Sequence, residues 1–121
     1  MSFATVVGIG LLGGAGAVLR FLLDGAVSSR VAGAFPWGTL TVNLIGALVL
    51  GIAVGAGLSG DGLRLAALGL LGGFTTFSTW AFESHRLAEN GLPGFGAANF
   101  AISLALGVGA VWAGQQIGGL L

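Results

Sequence analysis

Cysteine is absent from the 121-residue chain, so neither a disulfide framework nor a thiolate metal site is open to it. Charge is scarce as well. Four basic and four acidic side chains make up 7% of the residues, against about 25% in an ordinary soluble domain, too few to cover the surface of a soluble fold of this size. With one histidine, no Gly-x-Ser-x-Gly and no clustered carboxylate pair, the usual makings of an active site are missing, and no enzymatic activity is expected. No linker, low-complexity tail or soluble-length repeat interrupts the chain, which reads as a single domain over residues 1–121. The opening MSFATVV lacks the basic stretch of a signal peptide, so the first apolar segment is expected to be retained as a helix.

What the chain has instead is uninterrupted apolar sequence. All eight charges fall within residues 20–30, 61–64 and 83–89, leaving charge-free windows over 1–19, 31–60, 65–82 and 90–121. A membrane-crossing helix needs roughly 20 mostly apolar residues. Backbone groups in lipid must be satisfied internally, by helices or by a closed barrel, and GALVLGIAVGAGL does not alternate as a barrel strand would. The reading is an all-α membrane protein with four transmembrane helices, drawn at 3–22, 37–58, 65–82 and 95–117.

Glycine is the second abundance, with 25 residues. GIGLLG at 8–13 fits the Gly-x-Gly-x-x-Gly dinucleotide fingerprint, but Asp24 comes too early for the acidic residue that motif needs and no βαβ unit follows. Small residues instead recur four apart in every span: Gly10 and Gly14; Ala47, Gly51 and Gly55; Gly69 and Gly73; Ala101, Ala105, Gly109 and Ala113. Such ridges let helix backbones approach closely in lipid, and their presence on all four spans predicts a homo-oligomer. Arg20, Arg30 and Arg86 on one side stand against Arg64 and the terminal amine on the other, a bias weak enough to be compatible with insertion in both orientations and an antiparallel dimer.

Polar side chains at membrane depth are costly and mark either a pathway or a helix contact. Asn43, in TLTVNLIG, fits both readings: a pore amide, or an interhelical hydrogen bond that holds helices together. It shares a helix face with Thr39. Ser103, in the fourth span, is of a type that more often bonds back to its own helix. The densest polar stretch is GGFTTFSTW at 72–80. Two glycines beside the β-branched Thr75 and Thr76 predict a third helix broken mid-membrane, with free carbonyls able to hold a cation. Beyond the break, Phe77 and Trp80 are spaced to share a side while Ser78 and Thr79 face elsewhere, giving ring edges and hydroxyl donors that suit an anion. Without a fixed positive charge, such sites favour permeation over storage.

GGFTTFSTW followed by Glu83, together with TLTVNLIG in the second span and GGAGAVLRF closing the first, resembles the fluoride channels of the CrcB/Fluc family. The resemblance covers the whole chain. It implies an antiparallel, dual-topology homodimer with two pores that passively export fluoride across the prokaryotic cell (inner) membrane; a heterodimer with a related chain is also open. Fluoride, lipid and the second subunit are the implied partners, with no nucleic acid. Asn43 matches the pore asparagine, Phe77 the first phenylalanine of an aromatic box, and Trp80 stands where many members have the second. Ser78 and Thr79 resemble a hydroxyl track that Ser103 completes, Arg20 a vestibule arginine, and Glu83 an acidic position near the pore end, for which a solvated helix end is the other reading. Gly72 and Thr75 match positions whose backbone carbonyls, from both subunits, hold a structural Na+. His85, Arg86 and Glu89 are placed at the interface of membrane and water. A small multidrug or cation transporter would need a membrane-embedded glutamate in the first span, where residues 3–19 hold no carboxylate. A structural or holin-like membrane subunit, with Asn43 and the nonamer serving packing alone, is the remaining alternative.

Overall fold

The computed structural model of the chain describes residues 1–121 and is entirely helical. In order come α1 (Phe3–Ser28), α2 (Trp37–Gly55), α3 (Gly60–Arg64), a π-helical stretch (Leu65–Leu71), α4 (Gly72–Phe74), α5 (Ser78–Glu89) and α6 (Pro93–Gly118). Four stretches are long and apolar enough to cross a membrane: Phe3–Ser28, Trp37–Gly55, Gly60–Glu89 and Pro93–Gly118. The first runs six residues past the expected end at 22. Arginine is a good helix former and aspartate is tolerated, so the charges at Arg20 and Asp24 do not end the helix; both lie within α1 rather than in a loop.

Helix ends follow from local chemistry. Ser2 caps α1 by accepting the Thr5 N–H at 3.1 Å. α2 and α5 both terminate in a Schellman arrangement: Leu58 N–H reaches the Ala53 carbonyl (3.0 Å) and Leu92 N–H the Leu87 carbonyl (2.8 Å). Each requires a left-handed residue at the turn, supplied by Gly57 (φ 85°) and Gly91 (φ 79°). Pro93 then opens α6, where its missing N–H costs nothing.

The helices pack by backbone contact at glycine. α2 lies along α6, and α1 along the π-helical stretch and α4. A Cβ at Gly51 would stand 2.3 Å from the Val111 carbonyl oxygen, one at Gly114 2.3 Å from that of Leu48, and one at Gly118 2.2 Å from that of Ile52. On the other side, Gly16 faces the Leu70 carbonyl and Gly73 that of Gly13, again at distances no side chain could occupy. The expected Gly51, Gly55, Gly69 and Gly73 are therefore at helix contacts, but other members of the expected ridges are not. Gly10, Gly14 and Gly109 meet nothing within 4 Å, while Gly13, Gly16, Gly114 and Gly118 make the contacts. In helices this rich in glycine several small-residue ridges coexist, and spacing alone does not say which one turns inward.

Only 16 of the 121 residues are buried, and Leu11, Phe21, Phe82, Val108 and Trp112 are among many large apolar side chains left exposed. Such a surface is stable against lipid tails or another protein surface rather than water. Gly114→Ala is expected to lower the stability of the detergent-solubilised protein by about 1–3 kcal/mol through overpacking. Gly109→Ala, facing open space within the chain, should change it by no more than about 0.5 kcal/mol. Thermal unfolding followed by circular dichroism checks both, and an unchanged midpoint in Gly114→Ala would mean that the α2–α6 contact does not hold the fold.

Candidate functional site

Between α4 and α5 the chain leaves the helix. Thr75 is extended (φ −82°, ψ 161°), and residues 75–77 belong to no helix. This exposes backbone groups that a continuous helix would pair, and in apolar surroundings each unpaired group is expensive. Asn43 on α2 resolves the centre of the problem: its Oδ1 accepts the Thr76 N–H at 2.8 Å and its Nδ2 donates to the Thr76 carbonyl at 2.9 Å. One amide thus replaces both backbone partners of one residue. Asn43 reaches this height because Gly46, one turn further along α2, lies against Thr75; a Cβ there would be 2.2 Å from Thr75 Cγ2.

The flanking hydroxyls meet some of the remaining groups. Thr75 Oγ1 donates to the Leu71 carbonyl (2.9 Å). Thr76 Oγ1 accepts the Thr79 N–H (3.2 Å), the work of an N-cap side chain for α5, donates to Thr79 Oγ1 (3.1 Å), and lies 3.4 Å from Ser78 Oγ. Ser78, Thr79 and Thr76 therefore form one connected hydroxyl cluster. No backbone N–H donates to the carbonyls of Gly72 or Thr75, which remain free at the C-terminal end of the helical stretch before the gap.

Two cavities meet at this segment. One, of about 350 Å³, is lined by Asn43, Gly72, Thr75, Thr76, Phe77 and Trp80 among others. The second, of about 200 Å³, is lined by Arg20, Phe21, Asp24, Thr39, Thr76 and Thr79. Thr76 borders both. Arg20 carries a buried Nε with no hydrogen-bond partner and joins no ion pair, although Asp24, one helical turn on, lines the same cavity. Glu83 receives the Thr39 hydroxyl and so ties α5 to α2, above the second cavity's Thr39 wall. His85 pairs with Glu89 at 3.0 Å on the exposed face of α5.

The aromatic pair divides unequally. Phe77 is 70% exposed, whereas Trp80 is buried at 7%, and their rings meet edge to face at 5.3 Å and 76°. Trp80 also stacks on Phe100 at 4.7 Å, and its indole N–H donates to the Asn99 carbonyl at 3.2 Å. The additional donor that tryptophan brings is thus used inside the chain. Ser103 stands apart from this cavity: its hydroxyl turns back one helical turn to Asn99 Oδ1 at 3.4 Å, and it lines a separate apolar hollow with Ala47 and Trp112.

Sequence reasoning passed over two polar residues. Thr76, at the centre of the hydroxyl cluster and bound on both backbone groups by Asn43, was visible as the second member of the Thr75–Thr76 pair. Asn99, fully buried, was visible as the sole amide in an apolar run, one turn before Ser103.

A family profile described as CrcB-like protein, Camphor Resistance (CrcB), matches residues 7–115. Among curated relatives, "Fluoride-specific ion channel FluC 2" of Mycobacterium bovis is 45% identical over 117 residues, covering 97% of this chain and 93% of that protein. "Fluoride-specific ion channel FluC" of Geobacter sulfurreducens is 43% identical over 91% of this chain and 93% of its own length. "Fluoride-specific ion channel FluC 1" of Rubrobacter xylanophilus is 47% identical over 87% of this chain and 86% of its own. With the profile and these relatives spanning nearly its whole length, the chain belongs to the CrcB-like family.

Proposed function

We propose that this chain is a fluoride-selective passive channel of a prokaryotic inner membrane, not an enzyme, and that it works as an antiparallel dual-topology dimer with two pores. The observation that carries the reading is the clamp of Asn43 on Thr76, which holds a non-helical segment among four membrane-crossing stretches in a chain whose relatives are named fluoride-specific ion channels. We read residues 75–77 as a break in the third crossing. On one side of it the α5 N-terminus, the Ser78 and Thr79 hydroxyls and the Phe77 ring edge present positive ends of dipoles, which stabilise a partly dehydrated anion. Arg20, unpaired beside the Thr39, Thr76 and Thr79 hydroxyls, would draw anions toward this track; Glu83, bonded to Thr39, would border it. Donors of this kind bind weakly and in series, which suits conduction.

On the other side of the break, the free carbonyls of Gly72 and Thr75 are hard oxygen donors at the negative end of a helix, a donor set that fits Na+. In the dimer they would hold a structural sodium ion, whose charge would tie together the two broken crossings. Ser103, whose hydroxyl bonds back to Asn99 on its own helix, would complete the hydroxyl track from α6. Antiparallel pairing is supported by the weak bias of basic residues between the two sides and by the outward Gly10 and Gly14, which make no contact within the chain.

Protein reconstituted in liposomes is expected to dissipate a fluoride gradient and leave a chloride gradient standing, measured with ion-selective electrodes. Absence of fluoride flux, or equal passage of chloride, would refute the channel assignment. Asn43→Ala strands the Thr76 N–H and carbonyl, at about 1–3 kcal/mol, and should cut fluoride flux by roughly tenfold to a hundredfold while the dimer persists on size exclusion. Phe77→Ile keeps apolar volume but removes the ring edge, and a similar loss is expected from it. Flux that survives both substitutions would show that the pathway lies elsewhere.

A further inference from the structure

Asn99 has no place in the ion pathway described above, yet its side chain is 0% exposed. A buried amide is costly unless its donors and acceptor are met; here Oδ1 accepts from Ser103 Oγ at 3.4 Å, while the donor side converges on one neighbour. Asn99 Nδ2 donates to Ser84 Oγ at 2.8 Å and lies 3.5 Å from the Trp80 carbonyl; Ser84 Oγ in turn donates to that same carbonyl at 2.9 Å. From the opposite end, the Trp80 indole N–H donates to the Asn99 carbonyl at 3.2 Å. Phe100, the next residue along α6, covers the indole face at 4.7 Å and 17°.

We infer that Asn99 is a positioning residue for the aromatic pair, acting through Trp80. The Trp80 carbonyl is tied to the Asn99 amide through Ser84 Oγ, its ring tip to the backbone carbonyl of Asn99, its face is covered by Phe100, and the side left over meets Phe77 at 5.3 Å and 76°. Phe77, 70% exposed, has no other aromatic contact, so the indole is the rigid surface that sets its ring. The helices can approach closely enough for this because Gly96, one turn before Asn99, lies against the Ser84 carbonyl, where a Cβ would stand at 2.5 Å. Asn99 and Trp80 therefore work as a matched pair: the indole N–H needs an acceptor on α6, and the amide orders the turn of α5 that carries the indole. The role in transport rests on the reading of Phe77 as a pathway residue given above; the orientation of Trp80 does not.

The test uses the full chain with Trp37→Phe and Trp112→Phe, leaving Trp80 as the sole tryptophan of three. Asn99→Ala is expected to shift Trp80 emission to the red, raise its quenching by acrylamide and lower fluoride flux by roughly tenfold. Ser84→Ala, a milder change, should move all three in the same direction by less. In a separate Trp80→Phe protein, Asn99→Ala should cause little further loss of flux, because the residue it acts through has gone. Trp80 fluorescence unchanged in both Asn99→Ala and Ser84→Ala, or flux losses of Asn99→Ala and Trp80→Phe that simply multiply, would overturn the inference. If the parent protein passes no fluoride, the channel reading fails, while the fluorescence still decides whether Asn99 orients Trp80.

Discussion

A helical stretch in apolar surroundings can stop and restart only if something replaces the hydrogen bonds it gives up, and at residues 75–77 that replacement is a single side chain on a neighbouring helix. Asn43 offers a donor and an acceptor in the geometry of a peptide group, and Thr76 takes both. The threonine hydroxyls absorb the adjacent groups: Thr75 turns back to Leu71, and Thr76 caps α5. What remains unpaired is then confined to a few atoms, the Gly72 and Thr75 carbonyls among them. Those atoms are the chemically available ones. In lipid, where water cannot serve as partner, the choice of which backbone groups to leave free amounts to a choice of which ligand the break can receive.

Glycine packing sets the height at which this exchange takes place. Gly46 against Thr75 brings α2 to within one turn of the gap, and Gly16 and Gly73 bring α1 to the turn before it. α2 is held in turn by Gly51 and Gly55 against α6. A side chain at any of these contacts would force the helices apart by more than a hydrogen bond can stretch. The close ridges and the Asn43 clamp are therefore one device, in which backbone proximity gives the amide its reach.

Charge-free windows between three charged clusters pointed to the four stretches long and apolar enough to cross a membrane, and Gly72, Gly73, Thr75 and Thr76 stand where residues 75–77 belong to no helix. Which glycines face inward was not legible. Lipid-facing and protein-facing surfaces are equally apolar, so the periodicity that orients a helix in a soluble protein is silent here. Gly109 and Gly114 look alike in the sequence, yet one meets open space and the other the α2 backbone. Asn99 was missed for a related reason: a single amide in an apolar run shows that a partner is needed, but the partners, Ser84 and Trp80, lie 15 and 19 residues away across a turn. The Ser103 hydroxyl turns back one turn on its own helix, as serine in an apolar helix commonly does.

The two members of the aromatic pair answer to different neighbours. Trp80 is enclosed by its own chain, with its donor satisfied and its face stacked. Phe77 rests one edge on it and leaves most of its ring uncovered, at a cavity lined by Asn43, Gly72, Thr75 and Thr76 together with the apolar Leu50, Leu71 and Val111. An aromatic ring exposed to this degree beside polar groups is not a surface that lipid tails would be expected to seal, since acyl chains would strand the free carbonyls and the hydroxyl cluster next to it. A protein surface with its own polar groups can do both, covering the ring and meeting the carbonyls. The cavity is rigid on the Trp80 side and open on the Phe77 side, the form that the second subunit proposed above would complete.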